Sequence, residues 1–259
     1  MTKRRAWLLG VTLFDLAFLY APVGVLILFS FNVSKLSATW AGFTLHWYKM
    51  LAGDEALWAS VQNSLIVATV STVIATVLGV GAAVGLERYS GRVRRLLDGA
   101  MLLPLVIPEI MMGVALLLFF VMIKLPLSLI TVTIGHAAFN LPLVVVIVRA
   151  RLRKLDPRLE EAAMDLGATP WQAFRRVTLP LLEPAIVAAV LMAFAVSLDD
   201  FIVTFFTAGP GSTTLPLKVY SMIKSGVSPE INALSAILVV LSMGLVALSL
   251  ALQWRERSI

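Results

Sequence analysis

The chain has 259 residues, 59% hydrophobic and only 14% charged, with a formal net charge of +6. So few polar side chains cannot cover the surface of a water-soluble domain of this size, so lipid must be the solvent. The absence of cysteine removes disulfides, thiolate metal sites and cysteine nucleophiles from the possible chemistry.

A bilayer core about 30 Å thick needs about 20 apolar residues per helical crossing. Six stretches meet that length: residues 7–30, 61–86, 99–123, 126–148, 184–205 and 233–253. The first follows Lys3-Arg4-Arg5 as a signal core would, but its run of about 24 residues exceeds the 7–15 of a cleavable segment. It also lacks a small-residue cleavage pattern, so it is expected to remain as a helix. Within it lies Asp15. The second stretch carries Gly79, Gly81 and Gly85, with no lysine after them. These read as a small-residue packing surface, and no G-x-x-x-x-G-K-[ST] phosphate loop occurs anywhere. The third stretch holds Pro104, Pro108 and Glu109, the last about midway along it. Proline loosens a spanning helix, and interrupted helices surround transport sites. Only Lys124-Leu125 separates the third and fourth stretches, which predicts a tight helical hairpin.

The fifth stretch contains Asp199 and Asp200. A carboxylate within the bilayer is costly and by default marks a polar pathway. At 1.5 Å per residue Asp199 lies about 22 Å from Pro184, in the outer half. Neighbouring residues point about 100° apart on a helix, so one acid faces a cavity while the other pairs with a partner or a helix end. His46 and His136 are isolated and read as hydrogen-bonded structural residues rather than metal ligands. Trp7, Trp40, Trp47, Trp58 and Trp254 lie near the expected interfaces, where amphipathic rings are well placed. Residues 215–224 are expected to form an outer interfacial helix.

Charge placement gives an orientation. With the N-terminus inside, Lys3, Arg4, Arg5, Arg88, Arg92, Arg94, Arg95, Arg149, Arg151, Arg153, Lys154, Arg158, Arg175, Arg176, Arg255 and Arg257 are cytoplasmic. Only Lys35, Lys49, Lys124, Lys218 and Lys224 fall outside. The positive-inside rule therefore puts both termini in the cytoplasm. The basic residues are spread over several segments, which speaks against nucleic-acid binding.

The long cytoplasmic loop, residues 149–183, is patterned as two short helices. Asp156-Pro157 opens the first and Gly167 suits the left-handed turn that ends it. Thr169-Pro170-Trp171-Gln172 reads as a capping box starting the second, and Pro180 is expected to stop it. Ala162, Ala163, Leu166, Trp171 and Phe174 add apolar surface in a water-exposed place, the mark of a partner site.

Glu161-Ala162-Ala163, Asp165, Gly167 six residues after the glutamate, Val177 ten further on, and Leu179-Pro180 resemble the signature loop of ABC-importer permeases. In that family the loop docks on the ATP-hydrolysing subunit. The resemblance implies that Glu161 anchors the loop there and that Gly167 supplies its sharp turn. The six crossings, the outer segment Trp40-Ala41-Gly42-Phe43-Thr44-Leu45-His46-Trp47-Tyr48 and the loop's position between crossings four and five are similar to type I importer permeases. Ser197-Leu198-Asp199-Asp200-Phe201, Ala208-Gly209-Pro210-Gly211-Ser212-Thr213-Thr214-Leu215-Pro216 and Ser228-Pro229-Glu230-Ile231-Asn232-Ala233-Leu234 resemble, more narrowly, the spermidine/putrescine permeases, second (C-type) subunit.

The resemblance implies an all-α polytopic membrane protein with one permease domain over residues 1–259 in a bacterial inner membrane. It implies no catalytic residues and no cofactor on this chain, ATP and magnesium being held by partner ATPase subunits. The implied partners are a homologous permease, two ATPase subunits and an extracytoplasmic binding protein. A polyamine pathway would use spaced carboxylates, from Asp199, Asp200, Glu109 and Asp15, with aromatic faces such as Phe201 and Tyr220 for cation–π contact. Another small amine, an aminophosphonate or an opine is the alternative cargo. An autonomous secondary transporter or channel is the alternative class, and a docking hairpin would have no purpose there.

Overall fold

A computed structural model of the chain describes residues 3–35, 39–88, 91–224, 226 and 228–257. The side chains of Lys3, Arg4, Arg5, Arg92, Trp254, Arg255 and Arg257 lie outside those described. The described residues are almost wholly helical, with one isolated antiparallel bridge between Asn32 and Phe43. Among the described residues, four helices are long and apolar enough to cross a membrane, and a bent pair makes a fifth candidate. The chain forms two compact units, Met1–Leu57 with Val219–Ile259, and Trp58–Lys218.

In the first unit, α1 (Lys3–Phe29) and α2 (His46–Ala52) both pack on α12 (Pro229–Arg257). Asn32 organises the connection between α1 and α2. Its amide donates to Thr39 O at 2.8 Å and its side-chain oxygen accepts from Ala41 N at 2.8 Å. Its backbone oxygen takes the Trp47 indole N–H at 2.7 Å. Trp47 is buried, so this ring is a packed, hydrogen-bonded residue rather than the interfacial anchor its position in the sequence predicts.

The second unit is built on α3 (Glu55–Arg88), α6 (Leu129–Leu152) and α9 (Leu179–Asp199). Ala75, Ala83, Leu86, Val144, Val145, Val148, Leu182, Ala189 and Ala193 form its buried core. The small residues of α3 admit α6 closely: a Cβ on Gly79 would stand 2.7 Å from Val144 Cγ1. Gly81 and Gly85 meet nothing within 4 Å, so only the first of the three glycines acts as expected.

Three expected boundaries are corrected. The third stretch is two helices, α4 (Arg92–Val106) and α5 (Glu109–Met122), set at 108°. Pro108 cannot donate to the helix ladder and forces Ile107 into an extended conformation, φ −68° and ψ 133°. Glu109 is consequently the first residue of α5, not a mid-helix residue. The hairpin between α5 and α6 spans residues 123–128 rather than Lys124-Leu125 alone, because α6 starts where Ser128 and Thr131 form a capping box. The fifth stretch breaks at Asp200, whose ψ of 124° ends α9, and the short α10 (Ile202–Thr207) follows.

Between α10 and α11 (Leu215–Lys224) the chain makes a tight turn. Ser212 N donates to Gly209 O at 3.1 Å, with Pro210 next and Gly211 at φ +78°, the type II arrangement. Asn63 of α3 donates to Gly211 O and Thr213 O at 3.1 and 3.0 Å, and Leu215 N donates to Ser64 Oγ at 2.8 Å. That long motif is therefore a packed structural turn fastened to α3.

Candidate functional site

The breaks in the third and fifth stretches border one open cleft of about 730 Å³. Pro104, Ile107 and Glu109 come from the α4–α5 break, Asp199 and Phe201 from the α9–α10 break, and Phe139 from α6. Its walls are apolar apart from three carboxylates, Glu109, Asp199 and Asp200. Asp199 and Glu109 are exposed, and neither is engaged in an ion pair among the described residues.

Asp200 is different. Its side chain is 7% exposed and lies 3.1 Å from His136 Nε2. It accepts from Thr204 N at 2.9 Å, Thr204 Oγ1 at 2.9 Å and Val203 N at 3.3 Å, so from the position before the N-cap residue Phe201 it satisfies free N–H groups in the first turn of α10. His136 Nε2 is also 2.9 Å from Thr204 Oγ1, and Nδ1 is 2.6 Å from Ser197 Oγ. Ser71 of α3 continues the chain at 3.2 Å from Ser197 Oγ. His136 is thus hydrogen-bonded at both nitrogens. The pairing of Asp200 with a residue 64 positions away carries no signal in the local sequence.

Of the remaining pathway candidates, Asp15 is exposed on α1 and Tyr220 exposed on α11, both residues of the first unit. Among the described residues no group of three or more His, Asp or Glu is placed to hold a metal.

At the other end of the second unit, α7 (Arg158–Asp165) and α8 (Pro170–Ala173) form a helical hairpin. Asp156 accepts from Arg158 N at 3.0 Å. Gly167 adopts φ +90°, Gly167 N donates to Met164 O at 2.9 Å and Ala168 N to Ala163 O at 3.1 Å, the two bonds of a Schellman turn. Thr169 and Gln172 cap α8 reciprocally. Glu161 is exposed, Leu166 is 90% exposed and Trp171 66% exposed. Pro180 does not stop the second helix. α8, a π-helical turn over Phe174–Thr178 and α9 follow one another without a break, so Pro180 lies within a continuous helical path, two residues after the π-helical turn.

Ion pairs lock the neighbouring helix ends. Arg149 of α6 bridges Glu87 of α3 at 2.8 Å and Asp98 of α4 at 2.6 Å, and Arg153 reaches Glu87 at 2.9 Å. Arg88 pairs with Glu160 of α7. From the sequence, Arg88, Arg149 and Arg153 are read only as topological charge, and none of Glu87, Asp98 and Glu160 is named.

Residues 75–255 match the family described as binding-protein-dependent transport system inner membrane component. The putrescine transport system permease protein PotI of Escherichia coli (strain K12) is 42% identical over 243 residues, 91% of this chain and 86% of that protein. The spermidine/putrescine transport system permease protein PotC of the same organism is 42% identical over 233 residues, 90% of this chain and 88% of its own. A putative 2-aminoethylphosphonate transport system permease protein, PhnV of Salmonella paratyphi A, is 30% identical over 236 residues, 88% of this chain and 86% of that protein. The crystal structure of a bacterial ABC transporter involved in the import of the acidic polysaccharide alginate contains a chain with a TM-score of 0.74. It covers 97% of this chain and 96% of that one at 18% identity, a likeness of fold.

Proposed function

The chain belongs to the binding-protein-dependent transport inner membrane component family, and from that premise we propose that it is a permease subunit of an ATP-driven importer of polyamines. The observation that carries this reading is 42% identity along nine-tenths of the chain to two permeases named for putrescine and spermidine. The subunit crosses the inner membrane six times with both termini in the cytoplasm, as the distribution of basic residues supports. It works beside a homologous permease, two ATPase subunits and an extracytoplasmic binding protein.

The hairpin is the coupling element. Glu161, Ala162, Ala163 and Asp165 present α7 to the ATPase, Gly167 sets the turn, and Leu179-Pro180 begin the helix that leads to the cleft. ATP binding closes the ATPase dimer, displaces the hairpin and opens the cleft outward; hydrolysis resets it. This chain supplies no nucleophile and no phosphate-binding loop, and ATP and magnesium stay on the partners. In the cleft, Asp199 and Glu109 receive the ammonium groups, while Phe201 and Phe139 offer aromatic faces. An aminophosphonate is the second reading, supported by the 30% identity to PhnV, but two carboxylates would repel its anionic group.

The test is uptake of labelled putrescine and spermidine by cells carrying the full set of subunits. Asp199→Asn and Glu109→Gln are expected to raise the half-saturating concentration or lower the rate by roughly tenfold, the loss of one charge-assisted contact. Normal uptake by both variants would remove these acids from the pathway. Uptake of 2-aminoethylphosphonate without polyamine uptake would replace the cargo assignment.

A further inference from the structure

Glu160 stands one residue before the glutamate of the family signature, and it ties the hairpin to the membrane body. It lies in the first turn of α7 with its side chain 25% exposed. One oxygen pairs with Arg88, the last residue of α3. The other accepts the Thr178 hydroxyl at 2.8 Å. Thr178 is buried at the end of the π-turn, immediately before α9. Arg88 also sits 5.9 Å from the ring centroid of Phe174, the first residue of the same turn. Glu160 and Arg88 together therefore grip both ends of the π-turn.

Three features give this arrangement a mechanical meaning. The inner ends of α3, α4 and α6 are already joined through Glu87, Asp98, Arg149 and Arg153, so Arg88 belongs to a braced platform. The π-turn is an irregular element of the kind that concentrates at functional positions, and α9 carries Asp199 at its far end. A half-exposed ion pair contributes little to folding, so stability alone does not account for a carboxylate shared among three elements.

We propose that Glu160 is the positioning residue that transmits movement of the hairpin to α3 and, through Thr178, to α9. This rests on the reading that the hairpin docks on an ATPase. Hairpin displacement would pull on the α9 start and on the braced platform through one carboxylate. Glu161 faces outward and is left for the partner.

The test uses the complete importer in liposomes with its binding protein, reading polyamine uptake and ATP hydrolysis in the same sample. Glu160→Ala is expected to lower uptake per ATP hydrolysed by roughly fivefold or more, the scale of a typical coupling between sites. Exchange of the pair, Arg88→Glu with Glu160→Arg, is expected to recover most of the ratio. Where the alanine variant fails to assemble, Glu160→Leu, which removes both contacts while keeping a side chain of similar reach, is read the same way. An unchanged ratio overturns the proposal, whether both activities persist or fall together. Failure of the underlying reading is distinct: the wild-type chain would then bind no ATPase or give no ATP-dependent uptake.

Discussion

Four donors converge on the Asp200 carboxylate: His136 Nε2, the N–H groups of Val203 and Thr204, and the Thr204 hydroxyl. Its neighbour Asp199 is exposed in the cleft. The break in backbone direction between them separates two roles that a continuous helix would place about 100° apart on one cylinder. Replacing His136 by Ala removes one of the four donors to a buried carboxylate, a change expected to cost about 2 kcal/mol. Asp199→Asn touches no buried network and is expected to stay within about 0.5 kcal/mol of wild type. Thermal unfolding of the purified complex in detergent checks the pair. Equal unfolding temperatures for the two variants would mean that the His136 contact holds nothing together. The sequence singles out both acids as anomalous in an apolar stretch, but only the fold shows which one is occupied. The His136–Asp200 pairing is a tertiary event, absent from any window of neighbouring residues.

The elements divide in the same way between what local chemistry dictates and what packing decides. The hairpin is legible because its signals are local: the capping box of Thr169 and Gln172 and the left-handed Gly167 each act within a few residues. The breaks at Ile107 and Asp200 are less so: Pro108 hints at the first, and the acid pair at the second marks polarity without showing that the helix ends there. Pro180 misleads because the helix continues through it, directly after the π-helical turn. Two glycines show the contrast experimentally. A Cβ on Gly167 meets nothing within 4 Å, so the constraint there is conformational, φ +90°. Gly167→Asn is expected to retain ATPase association better than Gly167→Ala, because Asn visits that region more readily. A Cβ on Gly209 would stand 1.9 Å from the Leu127 carbonyl oxygen, a backbone atom. Gly209→Ala is therefore expected to cost about 3 kcal/mol or more in stability, with Asn no better. Protease resistance of the outer loops and co-purified ATPase, measured on the same preparations, separate the two kinds of loss.

For the molecule as a whole, the question is why a chain with no phosphate loop presents so much apolar surface on a polar hairpin. Leu166 is 90% exposed, Trp171 66% and Leu159 48%, on a segment whose other side chains are mainly charged or small. Lipid explains exposed leucines on the spanning helices, but not on α7 and α8, which carry the polar residues of a water-facing loop. A protein partner does explain them, and hot spots of such interfaces are aromatic side chains near the centre of the patch. Trp171, packed on Phe174 at 5.6 Å between centroids, is the candidate anchor, with Leu166 at the exposed turn. Trp171→Glu and Leu166→Glu place charge where water already reaches, so membrane insertion and the unfolding temperature of the chain should be unchanged. Their effect falls on association: a hot-spot loss of about 2 kcal/mol weakens ATPase binding roughly 30-fold. The measurement is the affinity of purified ATPase subunit for the chain in lipid nanodiscs. Binding at wild-type strength by both variants would move the docking surface away from this hairpin, and with it the anchor role of Glu161.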